Sequence, residues 1–137
     1  MKVQPYVFFE GRFDEAAAFY RAAIGAEVAF VMRFADSPDQ SHVTPENAAK
    51  VMHAELRIGE TTVLASDGTC SGQPNFSGAA LAITAESDAE AERMFAALAD
   101  GGQTVMPIAG TFFATRFGMT IDRFGLTWMV MSGSRPP

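Results

Sequence analysis

Residues 51–60 read VMHAELRIGE, and in a β-strand this stretch sets an imidazole, a carboxylate and a guanidinium in one row. Side chains alternate along a strand, so Met52, Ala54, Leu56 and Ile58 form an apolar face while Val51, His53, Glu55 and Arg57 share the other. Imidazole titrates near neutrality and a neighbouring carboxylate can hold its tautomer and charge, which makes His53 and Glu55 candidate catalytic residues of the acid/base kind. The same pair, spaced i and i+2, can touch one metal ion, but a stable site needs a third and a fourth ligand. His42 is the only other histidine, and it falls in a loop with Asp36, Asp39 and Glu46. The plainer alternative is a hydrogen-bonded polar cluster, with Glu55 paired to Arg57 or to Arg33 on a neighbouring strand.

The elements that must position these residues follow from periodicity. VQPYVFF (3–9) reads as a strand, and FDEAAAFYRAAIG as a helix with Phe13, Ala16, Ala17, Tyr20 and Ile24 on one face and Gly25 as its stop. AEVAFVMRF (26–34) has strand composition, and a long polar loop over 35–50 follows, in which PENAAK can form a turn. VMHAELRI and TTVLAS pair as a hairpin around Gly59 and Glu60. The same order then recurs. GAALAIT (78–84) reads as a strand, and SDAEAERMFAALADGG as a helix opened by a capping box at Ser87 and Glu90. QTVMPIA reads as a strand broken by Pro107, FATRFGMTID and LTWMVM pair around RFG, and the tail SGSRPP reads as a frayed terminus.

Strand, helix and three strands therefore occur twice, with the Gly-, Pro- and Ser-rich connector DGTCSGQPNFS (67–77) between the copies. A half of about 60 residues with one amphipathic helix is marginal alone, so the two halves should form one domain. The expected fold class is α+β, with module one over about 1–67 and module two over about 75–132 of a single domain spanning 1–137. Composition agrees: 48% of the 137 residues are hydrophobic and 19% charged. A net charge of −6 without a basic run argues against nucleic acid and against an anionic membrane surface. One cysteine, Cys70, closes no disulfide within the chain, and no stretch reaches membrane-spanning length, so a cytoplasmic location is expected.

YVFFEGRFDEAAAFY, HAELRIGETTVLASD and GMTIDRFGLTWMV, set in this βαβββ repeat, resemble the vicinal oxygen chelate superfamily. That group includes glyoxalase I, bleomycin-resistance proteins and extradiol dioxygenases. The DRFG…W ending is similar to its phosphonate-operon (PhnB-like) branch, some members of which are labelled demethylubiquinone-methyltransferase-like. The resemblance covers roughly residues 3–131 and implies two βαβββ modules forming a curved mixed sheet around a cup-shaped cavity, helices outside, in a homodimer. It implies that His53, Glu55 and Arg57 point into the cup.

The resemblance also implies where a metal would sit: on the first and last strands of each module, at Gln4, Leu64, Ala79 and Met129 here. Leucine and alanine carry no donor atom, a thioether suits soft ions, and one amide oxygen is a weak ligand. No bound metal and no cofactor are therefore expected. Gln4, Tyr6, Phe8, His53, Glu55, Leu64 and Met129 are the expected ligand-binding residues, since an aromatic and Met-rich wall with few polar groups is how small-molecule pockets are built. Phe8 and Met131 read rather as core filling, whereas the Tyr6 hydroxyl wants a partner and Tyr6 is the stronger ligand-binding candidate; Trp128, out of phase with Met129, reads as core. The leading functional expectation is a protein binding a small organic ligand. The alternatives are a metal-dependent lyase, isomerase or dioxygenase with a relocated site, and the methyltransferase-like label, for which no glycine-rich cofactor turn is present.

Overall fold

The first strand is shorter than its composition suggests. In the computed structural model, which describes residues 1–134, β1 spans only Tyr6–Phe8. Pro5 has no N–H to give to a ladder, although its carbonyl still accepts from Leu64 N–H at 2.9 Å. The remaining elements of the first module are α1 (Phe13–Ile24), β2 (Glu27–Arg33), β3 (Val51–Ile58) and β4 (Thr61–Ser66). The second module repeats them as β5 (Ala80–Thr84), α2 (Asp88–Ala99), β6 (Gln103–Ala109), β7 (Ala114–Ile121) and β8 (Thr127–Ser134). The strands form two four-stranded mixed sheets, ordered β1-β4-β3-β2 and β5-β8-β7-β6, with one parallel pair in each. The α+β class and the duplicated βαβββ order are therefore as expected. The chain divides into two compact units, Met1–Pro74 and a second from Asn75 onward.

In the first unit, α1 buries Phe13, Ala16, Tyr20, Ala23 and Ile24. Beneath it the sheet presents Val7, Ala54, Leu56, Val63 and Ala65, all nearly or fully buried. Burial of each large apolar side chain contributes about 1.5–3 kcal/mol, so this face supplies most of the unit's cohesion. Arg12 gives α1 no side-chain cap. Asp67, at the end of β4, takes that role from a distance: its carboxylate accepts from Gly11 N–H (3.0 Å), Phe13 N–H (2.8 Å) and Val51 N–H (2.8 Å). The helix stops at Gly25, whose φ of 71° is left-handed and whose N–H bonds Arg21 O.

Three local expectations change. Val51, placed by simple alternation beside His53, is fully buried, because the β2–β3 register shifts between Met32 and Arg33. Pro107 does not break β6, since β6 is an edge strand and tolerates a missing N–H, with register shifts on both sides of Met106. The residues SGS of the expected frayed tail continue β8, with Ser134 paired to Ala114; residues 135–137 lie outside the described residues. The loop over 35–50 opens with a 3-10 turn at Phe34–Asp36 and closes with a turn in which Ala48 N–H bonds Thr44 O at 3.0 Å.

In the second unit, Ser87 caps α2 by accepting from Glu90 N–H at 3.1 Å, and α2 packs on β7 and β8 with Phe95 and Leu98 buried. Trp128 is 1% exposed, and its indole N–H donates to Asp122 Oδ2 at 2.9 Å. The other Asp122 oxygen accepts from Phe124 N–H (2.8 Å) and Leu126 N–H (3.1 Å), so the DRFG…W motif is a structural clamp around the β7–β8 turn.

Candidate functional site

The face of the first sheet turned away from α1 is uncovered over much of its area. Cross-strand register places Phe30 opposite Glu55, Glu55 opposite Leu64, and Leu64 opposite Tyr6, one residue from each of the four strands. Tyr6 is 38% exposed, Phe30 43% and Phe8 51%, so the two edge strands β1 and β2 present large aromatic surface on this face. Phe8 is therefore not core filling: it sits beside Tyr6 with ring centroids 4.9 Å apart. From Tyr6 the rings continue to His53 at 5.6 Å and from His53 to Phe30 at 6.2 Å. An aromatic strip thus crosses the sheet from β1 to β2.

The polar groups on this strip are few. The Tyr6 hydroxyl and His53 Nδ1 are 3.0 Å apart, and the direction of that bond depends on the imidazole tautomer. Either way the contact holds the ring, and His53 has no other hydrogen-bond partner among the described residues. Glu55, half-buried between Phe30 and Leu64, has no hydrogen-bond or ion-pair partner among the described residues. The polar-cluster alternative fails on this point. Arg33 is held instead by Asp14 through two bonds of 2.9 and 3.0 Å and by Ala49 O, and Arg57 lies exposed opposite Glu27. The Asp14 hydrogen bonds raise the Arg33 pKa above its ordinary value, keeping that guanidinium committed.

The expected residues fall out as follows. Tyr6, Phe8, His53, Glu55 and Leu64 come together on the first sheet. Gln4 is half-buried at the margin and is held by a 3.5 Å bond from its amide to Thr62 O. Met129 belongs to the second sheet, in a row Met106–Met119–Met129–Ala82. β5 begins at Ala80, which pairs with Thr127, so Ala80 rather than Ala79 shares the Met129 face. Phe30 was not anticipated. A register shift between Val28 and Phe30 moves it onto the His53 face, and no alternation count over AEVAFVMRF reveals that.

Among the described residues no three His, Cys, Asp or Glu side chains are grouped to hold a metal ion. Leu64, Ala80 and Met129 offer a hard divalent cation nothing, and the Gln4 amide nitrogen is already engaged. Burial, with Asp67 nearby, pushes the Cys70 thiol pKa up. Among the described residues no helix is long and apolar enough to cross a membrane.

Two sheets of βαβββ order, each with one covering helix, define the glyoxalase/bleomycin resistance/dioxygenase class of fold. A glyoxylase/bleomycin resistance protein/dioxygenase domain from Frankia shares it, at a TM-score of 0.63 and 16% identity over 96% of this chain and 94% of that one. The chain belongs to the family described as 3-demethylubiquinone-9 3-methyltransferase, whose model matches residues 1–131. It is 32% identical to protein YjdN of Escherichia coli over 95% of this chain and 94% of that protein. Among solved structures, protein PA1353 of Pseudomonas aeruginosa matches with 35% identity and a TM-score of 0.85, covering 98% of this chain and 99% of that one. A PhnB protein of Bacillus cereus matches with 24% identity and a TM-score of 0.80, covering 97% and 100%.

Proposed function

We propose that this chain is a cytoplasmic, homodimeric small-molecule-binding protein that holds a partly apolar organic ligand on the open face of its first sheet, without a divalent metal. The observation that carries this reading is the aromatic strip Phe8–Tyr6–His53–Phe30, which runs across one sheet face with exposed rings on both edge strands. Stacking surface with a few fixed polar groups is what ligand pockets offer. The donor-poor positions Gln4, Leu64, Ala80 and Met129 support a lost metal centre. A thermal-shift screen of small aromatic compounds tests the reading. Hits should weaken in Tyr6→Ala and Phe30→Ala and persist in chelator; the absence of any strip-dependent hit sinks it.

Catalysis is the second reading, favoured by the Tyr6–His53 hydrogen bond beside an unpaired Glu55. His53 Nε2 and the Glu55 carboxylate would exchange protons with a ligand seated on the strip. The methyl-transfer description of the family finds less support. The N–H groups of Gly11 and Phe13, at the mouth of α1, are already satisfied by Asp67. Calorimetry with S-adenosylmethionine decides it, and saturable binding would restore that activity to consideration.

A further inference from the structure

We propose that the ligand of the open face is an organic cation with an aromatic or apolar body, its positive charge received by Glu55. This rests on the binding reading above and narrows it to a chemical class. Glu55 is half-buried, flanked by the Phe30 ring on β2 and Leu64 on β4, with His53 two residues away on the same face. A carboxylate kept partly out of water with no partner among the described residues loses hydration that a bound cation returns. The ring faces around it add to the same preference, because an aromatic quadrupole attracts ammonium groups. Arg57, on the same face of β3, is exposed and makes no ion pair among the described residues, so solvent screens its charge. The net charge of −6 favours approach of a cation over that of an anion.

The test titrates the full chain with three probes of one shape: benzyltrimethylammonium, benzyl alcohol and benzylsulfonate. Binding is read from side-chain NMR shifts of Tyr6, Phe8, Phe30 and His53. The cation should bind roughly tenfold more tightly than the alcohol, with the sulfonate weakest. Glu55→Gln should bring cation and alcohol to within about twofold, and Arg57→Gln should leave the cation's affinity equal or higher. Glu55 has no internal bond to lose, so the variant should stay folded, and Glu55→Asp should keep part of the preference.

Equal binding of cation and alcohol overturns the proposal while the binding reading stands. So does a sulfonate preference that disappears in Arg57→Gln. No shift with any probe removes both. Shifts that follow protein concentration instead of probe mean that a second copy covers the strip, and they also overturn the proposal.

Discussion

Tyr6 and His53 are separated by 47 residues yet share a 3.0 Å hydrogen bond, and removing it tests how the site is built. Tyr6→Phe should cost at most about 1 kcal/mol of stability, because the bond is exposed. The same change should loosen the imidazole and weaken strip-dependent ligands, measured as a drop in stability gain on ligand addition. Asp67 is different in kind. Asp67→Ala orphans three backbone N–H groups beside the core, and chemical denaturation should show a loss of about 3–5 kcal/mol. Trp128→Phe removes the indole donor to Asp122 and some packed volume, for an expected loss of about 1–3 kcal/mol. At this scale the sequence was partly readable. Alternation alone placed His53, Glu55 and Arg57 together and Trp128 in the core. The Tyr6–His53 contact was not readable, since it needs the non-local order β1-β4-β3. The clamp roles of Asp67 and Asp122 were hidden too, because nothing local tells a backbone-bonded aspartate from a solvated one.

Elements respond through their ends and their crossings. Ser87→Ala should cost α2 about 1 kcal/mol by removing its cap. At Gly118 on β7 a Cβ would lie 2.7 Å from the Phe95 ring and 3.0 Å from Ile108 Cα. Gly118→Ala should therefore push α2 and β6 from their seats at about 1–3 kcal/mol, read as a lower melting temperature. The turn after β1 has its own signature. Glu10, with a φ of 52°, accepts hydrogen bonds from Thr69 Oγ1 (2.7 Å), Thr69 N–H and Ser71 N–H. These bonds, led by Thr69, hold its carboxyl below the ordinary carboxylate pKa. A depressed folded-state pKa adds stability that is present above the unfolded value, near 4.5, and lost as pH falls through the lower folded value. Glu10→Gln should flatten the acid limb of the stability profile in that window and leave the shape near neutrality unchanged. Both helices were legible from apolar spacing, Ser87 and Gly25. The edge position that lets β6 run through Pro107 was not, because strand order is absent from a local pattern.

Across the whole molecule, the duplicated βαβββ order was legible in the sequence and the chain belongs to the family that the motifs suggested. Ligand class was not legible: it depends on which side chains on a face stay unpaired, and pairing is decided by register. The proposed function turns on an aromatic face that would take a ligand without a metal. The most direct measurement is a side-chain NMR titration of chelator-treated protein with an aromatic ligand, followed at Tyr6, Phe8, Phe30 and His53. Saturable shifts confined to those residues, unchanged when a divalent ion is restored, are the expected result. Shifts that appear only after the ion is added, or none on these four residues, would contradict it.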